Sequence, residues 1–129
     1  MTPKTAMTPL PTAPPLISVT HFRSGAADFA SRAQEALTVL AQRPGFLSGS
    51  LARSTDADDT EDGADSWVLI TEWENVGAYR RALGNYDVKL RATPLLAEAL
   101  DLPTSFEALV QAAPGGETTT HASDREPPA

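Results

Sequence analysis

Between Ser66 and Trp73 the chain reads SWVLITEW. Period-two alternation there puts Trp67, Leu69, Thr71 and Trp73 on one side of an extended segment and Val68, Ile70 and Glu72 on the other. Both sides are largely apolar, so this strand needs cover on both faces. An earlier run, LISVTHFR from Leu16 to Arg23, is short, β-branched and stopped by Ser24-Gly25, which predicts a first strand. From Ala27 the period lengthens. Phe29, Ala33, Ala36, Leu37 and Leu40 recur at helical spacing behind Asp28 in the first turn, and Arg43-Pro44-Gly45 ends the helix. FLSGSLARS, Phe46 to Ser54, predicts a second strand, joined to the third by a long acidic loop. Asn75 is placed to cap a helix carrying Tyr79, Ala82 and Leu83, which breaks at Gly84-Asn85. Helical pattern resumes through Val88 and Leu90, and Thr93-Pro94 opens a further helix with Leu95, Leu96 and Leu100. TSFEALV, Thr104 to Val110, supplies a fourth strand, although alanine and glutamate are weak strand formers.

The resulting order, βαββαβ, predicts an α+β protein of ferredoxin-like architecture: a four-stranded antiparallel sheet with its helices on one face. The first strand is also apolar on both sides, with Ile17 and Val19 on one face and Leu16 and Phe22 on the other. The face left open by the helices then calls for a second copy, and a homodimer through sheet-on-sheet packing is expected. A monomer with some exposed aliphatics is the plainer alternative.

Composition trims this domain at both ends. Five of the eleven prolines (Pro3, Pro9, Pro11, Pro14, Pro15) crowd the first fifteen positions, and AAPGGETTTHASDREPPA closes the chain. Residues 1–15 and 111–129 are therefore expected to be disordered tails around a domain at 16–110. The head lacks the apolar run of a secretory signal and no stretch reaches membrane-spanning length, so a cytoplasmic protein is expected. With no cysteine, thiolate chemistry is absent. Seventeen acidic against ten basic residues give a net charge of −7, which argues against nucleic-acid and anionic-membrane partners.

The acidic loop DADDTEDGADS fails as a calcium loop, because the twelfth position from Asp58 is Leu69 and no helices flank it. A solvated hairpin connection is the simpler reading. Phosphate-cradling loops, nucleotide fingerprints, His/Glu metal clusters and nucleophile elbows are not found. No metal or cofactor is therefore expected.

RPGFLSGSLARS, WVLITEWENVGAYRRAL, YDVKLRATPLLAEAL and the final FEAL together resemble the antibiotic biosynthesis monooxygenase domain, of the dimeric α/β-barrel superfamily. The likeness spans residues 16–110. It is carried chiefly by Pro-Gly-Phe opening the second strand and by Trp-Glu-x-x-x-x-Tyr closing the third. The resemblance implies a ferredoxin-like protomer, a dimer, and a small-molecule cavity between sheet and helices in each subunit. Family members include oxygenases that use no metal or flavin, haem-degrading enzymes and proteins without known substrates.

Against that background Trp73 and Tyr79 are candidate cavity walls, each offering a flat apolar surface and one polar group. Leu69 and Thr71 share the face of Trp73 and join them as candidate substrate-binding residues. Arg91 could stabilise a phenolate. In oxygenases resembling this chain the matching tryptophan, tyrosine and arginine belong to the substrate pocket. The plainer reading makes the aromatics ordinary core and the arginine solvated. Leu69 is a departure, since the tailoring oxygenases carry an asparagine there. His21 is the histidine on the predicted strands and, as an imidazole, the candidate general base, with an interface or rim role as the alternative. Which face it occupies is open at this level.

Three functions follow as expectations. The first is a cofactor-independent monooxygenase that oxidises an electron-rich aromatic of polyphenol or polyketide type with O2. The second is a non-catalytic small-molecule-binding dimer of the same fold, and haem binding or degradation through His21 is a further alternative. A filled cavity would point instead to a structural or interaction module.

Overall fold

The computed structural model describes residues 13–56 and 62–125, and its elements follow the hydrophobic periods closely. They run β1 (Leu16–Ser24), α1 (Phe29–Ala41), β2 (Phe46–Arg53), β3 (Asp65–Trp73), α2 (Val76–Leu83), α3 (Tyr86–Arg91), α4 (Thr93–Leu96), β4 (Ser105–Glu107), β5 (Val110–Ala112) and β6 (Thr118–Thr120). The first four-stranded sheet has the order β2-β3-β1-β4 and every pairing in it is antiparallel. That is the ferredoxin-like βαββαβ arrangement, with α2, α3 and α4 together forming the second helical crossover. Among the described residues no helix is long and apolar enough to cross a membrane.

Alternation along β1 and β3 decides which side is core. Leu16, Ser18, Thr20 and Phe22 of β1, and Leu69, Thr71 and Trp73 of β3, are buried under the helices. The helices meet them with Phe29, Ala33, Ala36 and Leu40 of α1, Ala78, Tyr79 and Ala82 of α2, and Val88, Ala92 and Leu95 beyond. Phe22, Phe29 and Trp67 form an aromatic run at one end, with ring centroids 5.2 and 5.1 Å apart. Large side chains sealed this way each contribute roughly 1.5–3 kcal/mol. The other face carries Ile17, Val19, His21, Val68, Ile70 and Glu72, all half-buried.

Two joints set the geometry of the site end. Asn75 caps α2 by accepting from the Ala78 N–H at 2.8 Å, as its position predicts. Gly45 has φ +89, a conformation that favours glycine, and its carbonyl accepts from the Glu74 N–H at 2.8 Å. A Cβ on Gly45 would stand 2.5 Å from the Ala78 Cβ, so the start of β2 and the first turn of α2 touch through a residue that has no side chain.

The structure corrects the reading of the C-terminal third. β4 ends at Glu107 instead of Val110, because β1 begins at Leu16 opposite Glu107 and leaves no strand to pair with beyond it. Ala108 N–H donates to the Pro15 carbonyl, and Val110 then departs to pair with Thr120. Residues 111–125, expected to be disordered, instead form the β5–β6 hairpin and a following segment. Gly115 and Gly116 take positive φ in its turn. Gln111 Nε2 donates to Glu72 at 3.1 Å, tying the hairpin to the sheet's open side. Leu100 is also off the helix where it was expected; its N–H donates to the His21 carbonyl at 2.8 Å and extends the β1 edge past β4. Residues 1–12, most of the expected N-terminal tail, and 57–61 of the acidic loop lie outside the described residues. Asp28 stands just before α1 instead of within its first turn.

Candidate functional site

Trp73 ends β3 with no exposed surface. Its ring packs edge-on against Phe46 at 5.2 Å and tilted against Tyr79 at 5.5 Å. The indole N–H donates to Thr71 Oγ1 at 2.8 Å, so its one polar group is satisfied within its own strand. Tyr79 reaches back from α2 over the sheet and is 8 % exposed; its hydroxyl oxygen accepts from Ser18 Oγ at 3.1 Å. Leu69 lies on the same face, opposite Thr20 in the register, and both are buried. Trp73, Tyr79, Thr71 and Leu69 are thus brought together under the helices. Around them the core holds three buried hydroxyl side chains, Ser18, Thr20 and Thr71.

Ser18 and Thr20 were not among the residues singled out from the sequence. Parity alone would have found them, since they sit between Leu16 and Phe22 on the inward face of β1. A serine and a threonine among larger apolar residues read as filler until their burial is known. Their placement matters because hydroxyls enclosed in an apolar layer need partners or a ligand.

The other two candidates are elsewhere. His21 occupies the opposite face of the sheet, beside Val68 in the register, and is separated from Trp73 and Tyr79 by the sheet itself. It borders a cavity of about 220 Å³ that also touches Ala52, Val68 and Leu100. Arg91 is exposed in the last turn of α3, where a cation suits the helix C-terminus, while the buried positions on that side are Val88 and Ala92.

A cleft of about 360 Å³ opens beside that group. Its walls are Leu16 of β1, Val76 and Arg80 of α2, Ser105 and Glu107 of β4, and Asp124 and Arg125 of the C-terminal segment. Leu16 pairs with Glu107 and Ser18 with Ser105, so the Ser18 side chain lies one pleat further in on the same face. Tyr79 adjoins Arg80 in sequence. Trp73 does not itself line the cleft. The C-terminal segment is held there by Glu107, which accepts from Ser123 Oγ and from the Asp124 N–H, each at 2.6 Å. These bonds, first Ser123 and then Asp124, with the nearby Arg125 charge, hold the Glu107 carboxyl below the usual glutamate range.

Other charged contacts lie away from this end. Arg32 pairs with Glu98, and Arg23 pairs with Asp62 at 2.7 Å at the described end of the acidic loop. Among the described residues the buried Trp67 N–H has no partner, and the Arg53 guanidinium stands over its ring, 5.5 Å from the centroid.

An antiparallel ferredoxin-like sheet with an aromatic pair and buried hydroxyls under its second crossover defines a class of small α+β domain with a potential ligand layer. Residues 17–89 match the antibiotic biosynthesis monooxygenase family, and the chain belongs to that family. It is 33% identical over 95 residues to deoxynogalonate monooxygenase of Streptomyces nogalater, covering 74% of this chain and 75% of that one. The crystal structure of SnoaB, a cofactor-independent oxygenase from Streptomyces nogalater, superposes with TM-score 0.62 at 30% identity, over 79% of this chain and 99% of SnoaB. Rv0793 from Mycobacterium tuberculosis, at 17% identity and TM-score 0.58 over 77% of this chain and 99% of its own, shares the fold.

Proposed function

We propose that this protein is a cofactor-independent monooxygenase that oxidises an electron-rich aromatic, of polyphenol or polyketide type, with O2. The carrying observation is the Ser18–Tyr79 hydroxyl pair, buried beside Trp73 in an otherwise apolar layer with a cleft alongside. Likeness in sequence to deoxynogalonate monooxygenase and in structure to SnoaB, a cofactor-independent oxygenase, both from Streptomyces nogalater, adds support.

In this reading the substrate is its own reductant. Loss of a phenolic proton raises its electron density, the phenolate passes an electron to dioxygen, and the resulting radicals combine to a peroxide at a ring carbon. The O–O bond then breaks as that carbon loses its hydrogen: one oxygen atom remains as a carbonyl, and the other leaves as water with that hydrogen and the phenolic proton. The protein supplies a dry enclosure and fixed hydrogen-bond groups. Tyr79 and Ser18 hold the phenolic oxygen and relay its proton, and Trp73 backs the ring. Leu69 and Thr71 shape the remaining wall. His21, on the opposite face of the sheet, and Arg91, exposed in the last turn of α3, are given no step in this reading.

A second reading, a non-catalytic binding dimer, is favoured by one observation. Leu69 stands buried where the tailoring oxygenases carry an asparagine, so the ligand layer offers one hydrogen-bonding side chain fewer. In either reading the half-buried aliphatic face of the sheet packs against that of a second copy.

Oxygen uptake over hydroxylated anthrones and naphthols, with chelator present, decides between the two. Uptake above the uncatalysed background that falls at least tenfold in Tyr79→Phe supports oxygenation. Uptake no greater than background, with the same compounds still binding, would establish the binding protein.

A further inference from the structure

A second cleft, of about 310 Å³, opens where the chain leaves α1 beside the last turn of α2, and its walls are Arg43, Pro44, Arg81, Ala82, Gly84 and Asn85. Elsewhere in this acidic chain arginines find carboxylates: Arg23 pairs with Asp62, Arg32 with Glu98 and Arg53 with Asp65. Arg43 and Arg81 have no ion pair among the described residues. Arg43 is half-buried, and Arg81 rests along α2 at Gly77, where a Cβ would stand 3.2 Å from its Nη1. Asn85 Oδ1 accepts from the Val88 N–H, which leaves its NH2 group to donate. Glu74, the acid at the same joint, lies by Gly45 and is not part of the wall. The carbonyls that end both helices would oppose an anion if left free. They are taken: Leu40 accepts from the Arg43 N–H at 3.0 Å, Arg80 and Arg81 from the Gly84 N–H at 3.2 Å, and Ala82 from the Asn85 N–H at 3.0 Å.

The polar side chains of this cleft are therefore donors, two of them cations, and Pro44, Ala82 and Gly84 supply an apolar remainder. A carboxylate has two oxygens, which one guanidinium fork fills. A phosphate monoester brings three terminal oxygens and a charge of about −1.5 to −2 at pH 7. Two guanidinia and an amide match the second inventory. A phosphate group occupies only part of about 310 Å³, a volume at the lower end of small-molecule sites, so room remains for an organic substituent. We propose that this cleft binds phosphate monoesters, with Arg43 and Arg81 as the residues that recognise the phosphate. None of Ser18, Trp73 and Tyr79 lines it, so the proposal does not rest on the oxygenase reading.

The test is calorimetric titration of the full chain at neutral pH and fixed ionic strength with phenyl phosphate, with benzoate, and with phosphatidylcholine vesicles containing phosphatidate. Phenyl phosphate is expected to bind at least tenfold more tightly than benzoate, and to weaken as pH falls through about 6, where the ester gives up its second charge. Arg43→Met and Arg81→Met should each weaken it at least tenfold, while Lys89→Met, which removes an exposed charge on α3 outside the cleft, leaves it unchanged. Binding of phenyl phosphate marks a soluble ester as the source of the ligand. Binding of the vesicles alone, lost in the same two variants, marks a lipid headgroup, and either result supports the site. Binding of neither, equal affinity for benzoate, or affinity that survives Arg43→Met and Arg81→Met would overturn it. So would an equal loss in Lys89→Met, the mark of diffuse surface charge.

Discussion

At the scale of single residues the site is governed by polar atoms that have one partner each. The Trp73 N–H has Thr71 Oγ1 and nothing else within reach among the described residues, and both groups are sealed from water. Thr71→Val keeps the shape and removes the acceptor, leaving a buried donor unpaired, at a cost of about 1–3 kcal/mol in denaturant unfolding. Trp73→Phe removes the donor together with part of the ring. In that background Thr71→Val should cost little more, because no N–H is left to orphan. Additive losses in the double variant would mean that the bond is not what Thr71 contributes. Ser18 and Tyr79 form a second such pair. Ser18→Ala and Tyr79→Phe should therefore be coupled by about 1 kcal/mol in a double-mutant cycle.

Elements meet at places where one residue decides the fit. Gly45→Ala would force a side chain into a positive-φ backbone and against Ala78, and is expected to cost more than 1 kcal/mol, read as a lowered unfolding midpoint. The C-terminal segment is joined to β4 through Glu107, whose folded-state carboxyl titrates below its unfolded value. Its contribution is therefore present above the ordinary glutamate range and is lost as pH falls through the depressed folded value. The protection factor of the Asp124 amide, its exchange rate taken relative to the intrinsic rate at each pH, should fall across that acid window in the native protein and should be lower and insensitive to that window in Glu107→Gln. Period was enough to place β1, α1, β2, β3 and α2, since each alternates or repeats against a single core. The β5–β6 hairpin was missed because its strands carry small polar residues and no apolar stripe, although Gly115-Gly116 followed by three threonines is a legible turn-and-strand pattern. Trp73 and Tyr79 were legible as a pair from their six-residue spacing across a strand-to-helix turn. The direction of Arg91 was not legible, because it depends on how α3 rolls to bury Val88 and Ala92.

For the whole molecule the unresolved balance is the second face of the sheet. Ile17, Val19, Val68 and Ile70 lie side by side on β1 and β3, and β2 adds the small residues Ser48, Ser50 and Ala52 on the same side. His21 and Glu72 mark the polar limits of the patch, so it has the apolar centre and polar rim of an interface. The β5–β6 hairpin touches this side at Glu72 and leaves Val19, Val68 and Ile70 only half-buried. A second copy packed sheet against sheet would cover all three and is self-complementary by symmetry. Ile70→Lys tests this directly. In a monomer the lysine would sit at a half-exposed position and reach water, with little loss of stability. In a dimer it would meet its own symmetry mate's charge in an apolar centre, and a penalty of several kcal/mol corresponds to a dissociation constant raised at least a hundredfold. Sedimentation equilibrium at micromolar concentration should therefore find a dimer for the native chain and a folded monomer for Ile70→Lys. A native chain that sediments as a monomer at tens of micromolar would instead mean that this face stays wet.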